Sequence, residues 1–595
     1  MASSAVRLAL VALAWASAAI GAEETKSAQL AQAKAEWPQW RGLNRDGVVS
    51  NSPKLLDIWP KEGPKQIWQS EYIPSYMSGG GCASPVVADG KVFLYVNWKQ
   101  PKGGGTKVKL INTERLIDVG WLPDIPDVLA RKIEAARVAP SRPSASGFPE
   151  WYNFEIPKDT EITAFLAKHV ELNKYTNDFI ATLSPNDAKT YGDYIKRRFS
   201  MHVAGPEKAY TWDDLAKLSK CRDLAFETEH EWRNKVSELN INLYYGNRPF
   251  DFFQSWVKAC TVYDTVICLD AKTGSTLWKK DFPVDLDSIR KNDFFTFSVI
   301  GVSATPAVAN GKCFAQGESG LYCLSTKDGG LVWQVKTPPT HTSPLLANGI
   351  VYNYGCAYNA DTGKLLWKRE VNNKSHVSAS LWRADGRFYV IGTDNSDQWS
   401  CVDLETGKVL WEKLDRISSN YGCTSAVVAG DILVSQFTGE GLRAYKLTNS
   451  GAALLWKRPA NRSEPSAAYT VWQKCLYVFA DIKEGTTWLC LDLNTGETKW
   501  KGDDYAADGH VGGVFASPLV ADGKLFNTIG AVHNDRNDHE DVNSLEMVSA
   551  APDGKYQRLG KFSPRICLMT SPALANGRLY LRLEKGVACY DLTQH

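Results

Sequence analysis

Several features that would assign this chain to a familiar class of protein are missing from its 595 residues. After the first 22 residues no apolar run is long enough to cross a bilayer, so no membrane-spanning helix is expected. The formal net charge is only +2, which argues against the basic surface of a nucleic-acid-binding protein. Cys-x-x-Cys, Gly-x-Ser-x-Gly and His-Glu-x-x-His are all absent, so zinc, haem-attachment and common hydrolase motifs are excluded.

The first 22 residues have the composition of a secretory signal peptide. Arg7 supplies positive charge, Leu8 to Ile20 are apolar but too short for a membrane span, and small residues end the segment at Ala22. A buried first helix is the alternative interpretation. We therefore predict an exported protein, periplasmic or secreted, in which residues 23–62 form a linker and a Trp-rich packing segment.

One short phrase recurs along the chain. It runs from Cys490 to Trp500, where a strand carrying Asp492 enters a Thr-Gly turn and a Trp follows. Copies occur at Cys268 to Trp278, Cys323 to Trp333, Ala357 to Trp367 and Cys401 to Trp411, with a looser copy from Ala444 to Trp456. A period of roughly 35–50 residues is typical of repeat architectures.

Each repeat predicts a four-stranded antiparallel unit, because tight Asp-Gly or Asn-Gly and Thr-Gly turns join its strands. Eight units begin at a short run of small residues; these openings are at Ser84, Thr305, Ser343, Ala379, Ser425, Ala467, Ser517 and Ser571. The eighth unit ends before any Trp, and the isolated strand at Trp68 would complete it. Such a closure removes open sheet edges. The sequence therefore predicts an all-β, eight-bladed β-propeller closed by an N-terminal strand.

Thirteen cysteines in an exported chain suggest disulfides, but their positions argue otherwise. Five share one repeat position, where other copies carry Ala357 and Ala444; they are Cys268, Cys323, Cys401, Cys490 and Cys589. We interpret this position as a small buried strand residue. Because the total is odd, at least one thiol is free or paired between chains.

The stretch Leu491 to Gly496, with Trp500, resembles the repeat of the PQQ-like (pyrroloquinoline-quinone repeat) β-propellers. That family includes quinoprotein dehydrogenases and the propeller subunit of the outer-membrane assembly machinery. The Trp37-Pro-Gln-Trp-Arg-Gly42 opening resembles exported members of the planctomycete type. The resemblance implies that each outermost strand docks a Trp on the neighbouring blade: Trp68, Trp278, Trp333, Trp367, Trp411, Trp456 and Trp500. Blade seven departs from this pattern, because its last strand, around Gln557 to Phe562, has no Trp.

A large insertion interrupts blade one. We place the closing strand and the start of blade one at residues 63–99, a mostly α-helical insertion at 100–264, and the remaining propeller at 265–595. Thr211 to Asp214 predict a capping box, and Ser184-Pro185 a second helix start. Apolar residues at helical spacing continue from Leu215 to Leu239, and another set runs from Ile162 to Val170. A partly disordered insert is the alternative.

The two ends of the propeller are expected to differ. The tight turns lie at one end, which we expect to be bland, while the insertion and residues 531–543 lie at the other. Polar residues that precede the innermost strands at the second end could bind an anionic ligand or a metal at the channel mouth: His341, His376, His510, Tyr421, Arg462 and Arg565. They could equally line a wet channel.

A loop in blade seven is dense in potential metal ligands, namely His533, Asp535, Asp538, His539 and Asp541. Carboxylates of this kind bind calcium. The loop lacks an EF-hand spacing, and Arg536 would compete with a cation, so a solvated loop is the alternative.

Two functions fit these observations. The first is a non-catalytic exported scaffold that binds an envelope protein or polymer through the insertion-bearing face, where Trp212 and Trp232 lie. The alternative is a PQQ-dependent quinoprotein dehydrogenase oxidising an alcohol or sugar with calcium and a carboxylate base. Such dehydrogenases carry adjacent cysteines at the quinone, and this chain has no Cys-Cys. We therefore expect neither catalytic residues nor a bound cofactor.

Overall fold

The computed structural model describes most of the chain in two compact units. The described residues are 36–75, 80–102, 107–144, 159–201, 209–222, 224–227, 231–232, 235, 238–241, 259–285, 302–371, 377–393, 398–416, 425–437, 441–459, 468–482, 485–503, 516–529, 544–567 and 569–594. One unit contains residues 1–99 and 262–595, and the other contains residues 100–261. The predicted signal peptide lies outside the described residues.

The first unit consists of eight small sheets, in each of which the repeat strands pair antiparallel. Blade one contains Val86–Ala88, Lys91–Pro101, Cys260–Asp270 and Thr276–Pro283. Blade two contains Ala307–Ala309, Lys312–Gln316, Leu321–Ser325 and Leu331–Val335. Blade three contains Leu345–Ala347, Ile350–Asn353, Cys356–Asn359 and Leu365–Lys368. Blade four contains Ser380–Ala384, Arg387–Thr393, Gln398–Asp403 and Val409–Arg416.

The remaining blades repeat this arrangement. Blade five contains Val427–Ala429, Ile432–Phe437, Gly441–Thr448 and Gly451–Arg458. Blade six contains Ala468–Trp472, Cys475–Ile482, Gly485–Asp492 and Thr498–Lys501. Blade seven contains Leu519–Ala521, Lys524–Ile529, Ser544–Ser549 and Arg558–Phe562, with Val48–Val49 as a fifth strand. Blade eight contains Ala573–Ala575, Arg578–Leu583 and Gly586–Asp591, completed by Lys65–Gln69.

The predicted eight-bladed, all-β propeller is confirmed. Lys65–Gln69 pairs antiparallel with Gly586–Asp591, so the N-terminal strand closes the last blade as expected. Trp68 lies opposite Cys589 in this pairing. The closure joins the two ends of the chain in one sheet.

A small residue faces the Trp across the last two strands of a blade. The pairs are Cys268 and Trp278, Cys323 and Trp333, Ala357 and Trp367, Cys401 and Trp411, Ala444 and Trp456, and Cys490 and Trp500. The five repeat cysteines are fully buried, as the repeat pattern predicted. The position is small because its cross-strand neighbour is an indole ring.

Each Thr-Gly turn receives a Trp from the preceding blade. The Trp333 ring lies over Gly363. The φ of Gly363 is +70°, a conformation that glycine adopts without strain, and the absence of a Cβ leaves space for the indole ring. Indole N–H groups donate to backbone carbonyls beside these turns, for example Trp333 Nε1 to Ala360 O at 3.1 Å and Trp367 Nε1 to Leu404 O at 2.9 Å. Trp411 differs, because its Nε1 has no partner among the described residues.

Blade seven obtains its Trp from outside the repeat. Trp59 lies over Gly560 of the outermost strand, packs edge-on against Phe562 at 5.3 Å, and donates its backbone N–H to Leu559 O. The blade therefore receives an equivalent ring from the N-terminal segment, which the missing Trp in its own sequence could not reveal.

The second unit is largely helical in its described part. Its elements are Val108–Lys109, Thr113–Asp118, Asp127–Arg137, Asp159–Ala181, Pro185–Ser200, Trp212–Ser219 and Ala225–Phe226. The capping box of Thr211 and Asp214 and the Ser184-Pro185 helix start are confirmed. No helix within the described ranges is long and apolar enough to cross a membrane.

One prediction for this unit is wrong. The apolar residues after Leu215 do not continue as one helix, because the helix ends at Ser219 and Ala225–Phe226 forms a strand. That strand pairs with Val108–Lys109, and Phe226 packs against Trp232 at 5.4 Å. Tertiary pairing here overrides helical spacing.

The difference between Trp367 and Trp411 can be tested by replacing each with Phe. We expect Trp367→Phe to lower the free energy of unfolding by about 1 kcal/mol more than Trp411→Phe, since only Trp367 loses an indole hydrogen bond. Urea unfolding followed by far-ultraviolet circular dichroism measures both. Equal losses would contradict the role given to the hydrogen bond.

Candidate functional site: the channel and the rim

The N-terminal segment 37–49 occupies the centre of the propeller. Trp37 pairs with Val87 of blade one, and Val308 N of blade two donates to Pro38 O at 2.8 Å. The Gln39 amide bonds both the N–H and the C=O of Leu346 in blade three. At its other end Val48–Val49 pairs in parallel with the innermost strand of blade seven. From the sequence we predicted only a packing segment here.

Two buried arginines extend these contacts to the middle blades. Arg45 donates from Nε to Ala379 O at 2.8 Å and from Nη1 to Pro344 O at 2.8 Å. Arg41 donates to the carbonyls of Ala426 and Tyr469, in blades five and six. Burial lowers the pKa of both guanidiniums, that of Arg45 to about 9 with a further contribution from Arg41. The segment thus contacts the innermost strands, or the residues that lead into them, in blades one to seven.

A ring of hydroxyl groups connects the starts of the innermost strands. The opening residue of one blade donates its N–H to the hydroxyl of the next blade at 2.8 to 3.1 Å; the chain runs from Ser517 to Ser571, Ser84, Thr305, Ser343, Ser378 and Ser425. Seven blades are joined in this way. The small-residue openings seen in the sequence mark these hydroxyls, although their chemistry was not predicted.

Asp264 is a fully buried carboxylate between blades one and two. Its Oδ1 accepts from Tyr95 at 2.7 Å and from Glu318 N, and its Oδ2 accepts from Tyr322 at 2.8 Å and from Ser319 N. Burial raises the pKa of Asp264, and these hydrogen bonds oppose that effect. With four donors on two oxygens, the carboxylate fixes a loop of blade two.

A cleft lies at the end of the propeller that carries the tight turns. It has a volume of about 330 Å³ and is lined by Pro38, Gln39, Leu43 and residues of blades two to four. Lys312 pairs with Asp361 there at 2.8 Å, and the Arg383 guanidinium stacks over Phe388. This end was expected to be bland, and the cleft forms because the N-terminal segment supplies one wall.

The outer rim carries apolar side chains in five consecutive blades. Next to the docking Trp of blades one to five the outermost strands expose Leu277, Leu331, Val332, Leu365, Leu366, Val409, Leu454 and Leu455, each between 36% and 52% exposed. We call these eight residues the apolar rim. In the described part of the chain each of these strands has a sheet partner on one side only. Blade six has the exposed polar residues Thr498 and Lys499 at the same places.

The predicted channel-mouth residues are only partly described. Half-buried His341 precedes the innermost strand of blade three, beside the buried residues Thr340 and Thr342. Arg565 is exposed and its Nε donates to Glu584 at 3.0 Å, so its charge is already paired. His376, His510, Tyr421 and Arg462 lie outside the described residues. Their convergence on a ligand stays a prediction.

The predicted calcium loop, His533, Asp535, Asp538, His539 and Asp541, also lies outside the described residues. Within the described ranges no three His, Cys, Asp or Glu side chains come together as metal ligands. The buried carboxylate of Asp264 already accepts hydrogen bonds from protein donors. The expected absence of a bound quinone and calcium ion therefore stays a prediction.

Comparisons with solved structures find other propellers at low similarity. BamB from Moraxella catarrhalis is 14% identical over 56% of this chain and 92% of its own, with a TM-score of 0.39. Quinohemoprotein alcohol dehydrogenase from Comamonas testosteroni is 13% identical over 56% of this chain and 73% of its own, with a TM-score of 0.41. A comparison with curated proteins finds no match.

The ring of eight four-stranded blades with docked Trp residues defines a PQQ-like β-propeller. The profile of the family described as outer membrane protein assembly factor BamB matches residues 232–352 and 353–533, just over half of the chain. The chain belongs to this family.

The contribution of the channel segment can be measured with Arg45→Met. This change leaves the buried carbonyls of Ser343, Pro344 and Ala379 without a guanidinium donor, so we expect the free energy of unfolding to fall by at least about 3 kcal/mol. Denaturant unfolding provides the measurement. The control is Arg383→Met at an exposed guanidinium, which should cost less than about 1 kcal/mol. Similar losses in both variants would disprove the role of Arg45.

Proposed function

We propose that this protein is a non-catalytic scaffold of the cell envelope that binds another protein through its apolar rim. The observation that carries the proposal is the exposure of Leu and Val side chains on the outermost strands of blades one to five. Exposed apolar groups at an open strand edge are suited to contact a second protein.

A comparison between repeats supports this assignment. Blade six forms the same outermost strand and docks Trp500 while carrying Thr498 and Lys499 before it. The fold therefore does not require apolar residues at these places. Their presence in five neighbouring blades suggests a binding role on one side of the ring.

The centre of the propeller also favours binding over catalysis. The chain's own residues Gln39, Arg41 and Arg45 occupy hydrogen-bonding groups of the innermost strands in blades three to six. Asp264, a buried carboxylate of blade one, already accepts hydrogen bonds from four donors of the protein. Export by residues 1–22 would place the scaffold in the periplasm or outside the cell.

The helical unit is the other candidate surface. Trp212 and Trp232, which we expected to offer a partner surface, are buried in the core of that unit, and Trp212 Nε1 donates to Asp127 at 2.9 Å. The unit still exposes Val128, Leu166 and Val170. These three side chains allow the insertion-bearing surface to be tested against the rim.

The experiment compares two variants, each of which replaces two exposed apolar side chains with lysine. A partner captured from envelope extract is purified, and its affinity is measured for wild type, Leu365→Lys with Leu366→Lys, and Val128→Lys with Val170→Lys. We expect the rim variant to bind roughly 10- to 100-fold more weakly, since two apolar contacts are lost, and the helical-unit variant to bind normally. Weakening by the helical-unit variant alone would move the partner to that unit, and binding of an envelope polymer alone would reject the protein-binding proposal.

The non-catalytic part of the proposal has a separate test. Native mass spectrometry of the mature protein, before and after incubation with pyrroloquinoline quinone and calcium, should show the bare chain in both cases. A dye-reduction assay with alcohols and sugars should show no turnover. A retained quinone together with dye reduction would establish the dehydrogenase alternative.

A further inference from the structure

Two thiols meet where the ring closes. Cys82 directly precedes the opening of blade one, and Cys567 lies just before the opening of blade eight. Cys567 Sγ is 3.9 Å from the carbonyl oxygen of Gly81, the residue that directly precedes Cys82. Both side chains are buried.

Arg582 holds the two cysteine-bearing segments against each other. Its guanidinium donates to Ala83 O at 2.8 Å and to Gly80 O at 2.9 Å, on either side of Cys82. Its own carbonyl accepts the N–H of Cys567 at 2.9 Å. One buried residue of blade eight therefore fixes the backbone beside both thiols.

These cysteines differ from the repeat cysteines. Cys268, Cys323 and their equivalents lie inside strands, opposite a docking Trp, where only a small side chain fits. Cys82 and Cys567 lie outside the strands. The pattern of a small residue opposite a docking Trp therefore does not apply to Cys82 and Cys567.

We propose that Cys82 and Cys567 form a disulfide that covalently closes the propeller ring. Without this bond, blade eight is completed only by the non-covalent pairing of Lys65–Gln69 with Gly586–Asp591. The chain between the two cysteines contains blades one to seven, so the bond would tie the first blade to the last.

The reaction is a thiol–disulfide exchange with a low-molecular-weight or protein disulfide as oxidant. The thiolate of one cysteine attacks the oxidant, one thiol leaves, and a mixed disulfide forms. The second cysteine, as a thiolate, then attacks the sulfur of the first cysteine in the mixed disulfide and releases the remaining half of the oxidant as a second thiol. The pair loses two protons and two electrons, and the oxidant gains them as two thiols.

The reaction depends on pH because it needs a thiolate, and the raised pKa of Cys82 moves this dependence to higher pH. The hydrogen bond from Cys567 and burial raise the pKa of Cys82, and the positive charge of Arg582 opposes them. Since only the thiolate attacks, closure should become faster as the pH rises.

The test uses the full mature chain, both folded and refolding from the reduced, denatured state, in buffers of reduced and oxidised glutathione. After free thiols are blocked, peptide mapping without reductant should identify one linked pair, Cys82 with Cys567. The oxidised protein should melt roughly 2–5 °C higher than the reduced protein. Cys82→Ser and Cys567→Ser should each abolish this difference.

Cys475→Ser is the matched control. Cys475 and Cys490 are also buried, but they lie on adjacent strands of one blade, so this variant should keep the redox-dependent shift. If the thiol-blocking reagent modifies both Cys82 and Cys567 completely under oxidising conditions, in folded and in refolded protein, the two residues are free thiols and the proposal is overturned. A linkage that involves another cysteine would overturn it as well.

Discussion

The propeller depends on how the polar ends of its innermost strands are satisfied. These strands converge on the axis, where their backbone groups cannot all pair with each other or with water. The N-terminal segment resolves this constraint with Gln39, Arg41 and Arg45, whose side chains bond carbonyls or N–H groups of blades three to six. The ring of Ser and Thr hydroxyls also joins neighbouring blades. A segment of 13 residues, 37–49, thus connects most of the ring.

The docking Trp residues act between neighbouring blades. In most blades the ring covers a turn glycine of the next blade, and its N–H bonds a carbonyl there. Blade seven shows that the fold requires an indole ring at this place but not a Trp in the repeat itself, because Trp59 supplies the indole from outside the repeat. Residues 37–59 therefore contribute to the centre and to the periphery of the propeller.

These constraints leave few places where function can vary. Residues 37–49 take up hydrogen-bonding groups of the innermost strands, and Trp rings cover most of the turns before the outermost strands. On the outermost strands, the positions just before the docking Trp are free of both demands, as the polar Thr498 and Lys499 of blade six demonstrate. The apolar rim of blades one to five lies at this unconstrained position, which is why it carries the proposed function.

The sequence by itself determined the number of blades, the closing strand and the buried repeat cysteines, because these follow from local turn chemistry and from periodic spacing. It also indicated the helix starts at Thr211 and Ser184, which are capping signals within four residues. Only the tertiary structure decided the role of Arg41 and Arg45, the source of the ring in blade seven, and the strand at Ala225–Phe226. Each of these depends on partners that are distant in sequence, such as Arg45 with Ala379 and Cys82 with Cys567. No spacing rule relates such pairs, because the closed ring alone brings them together.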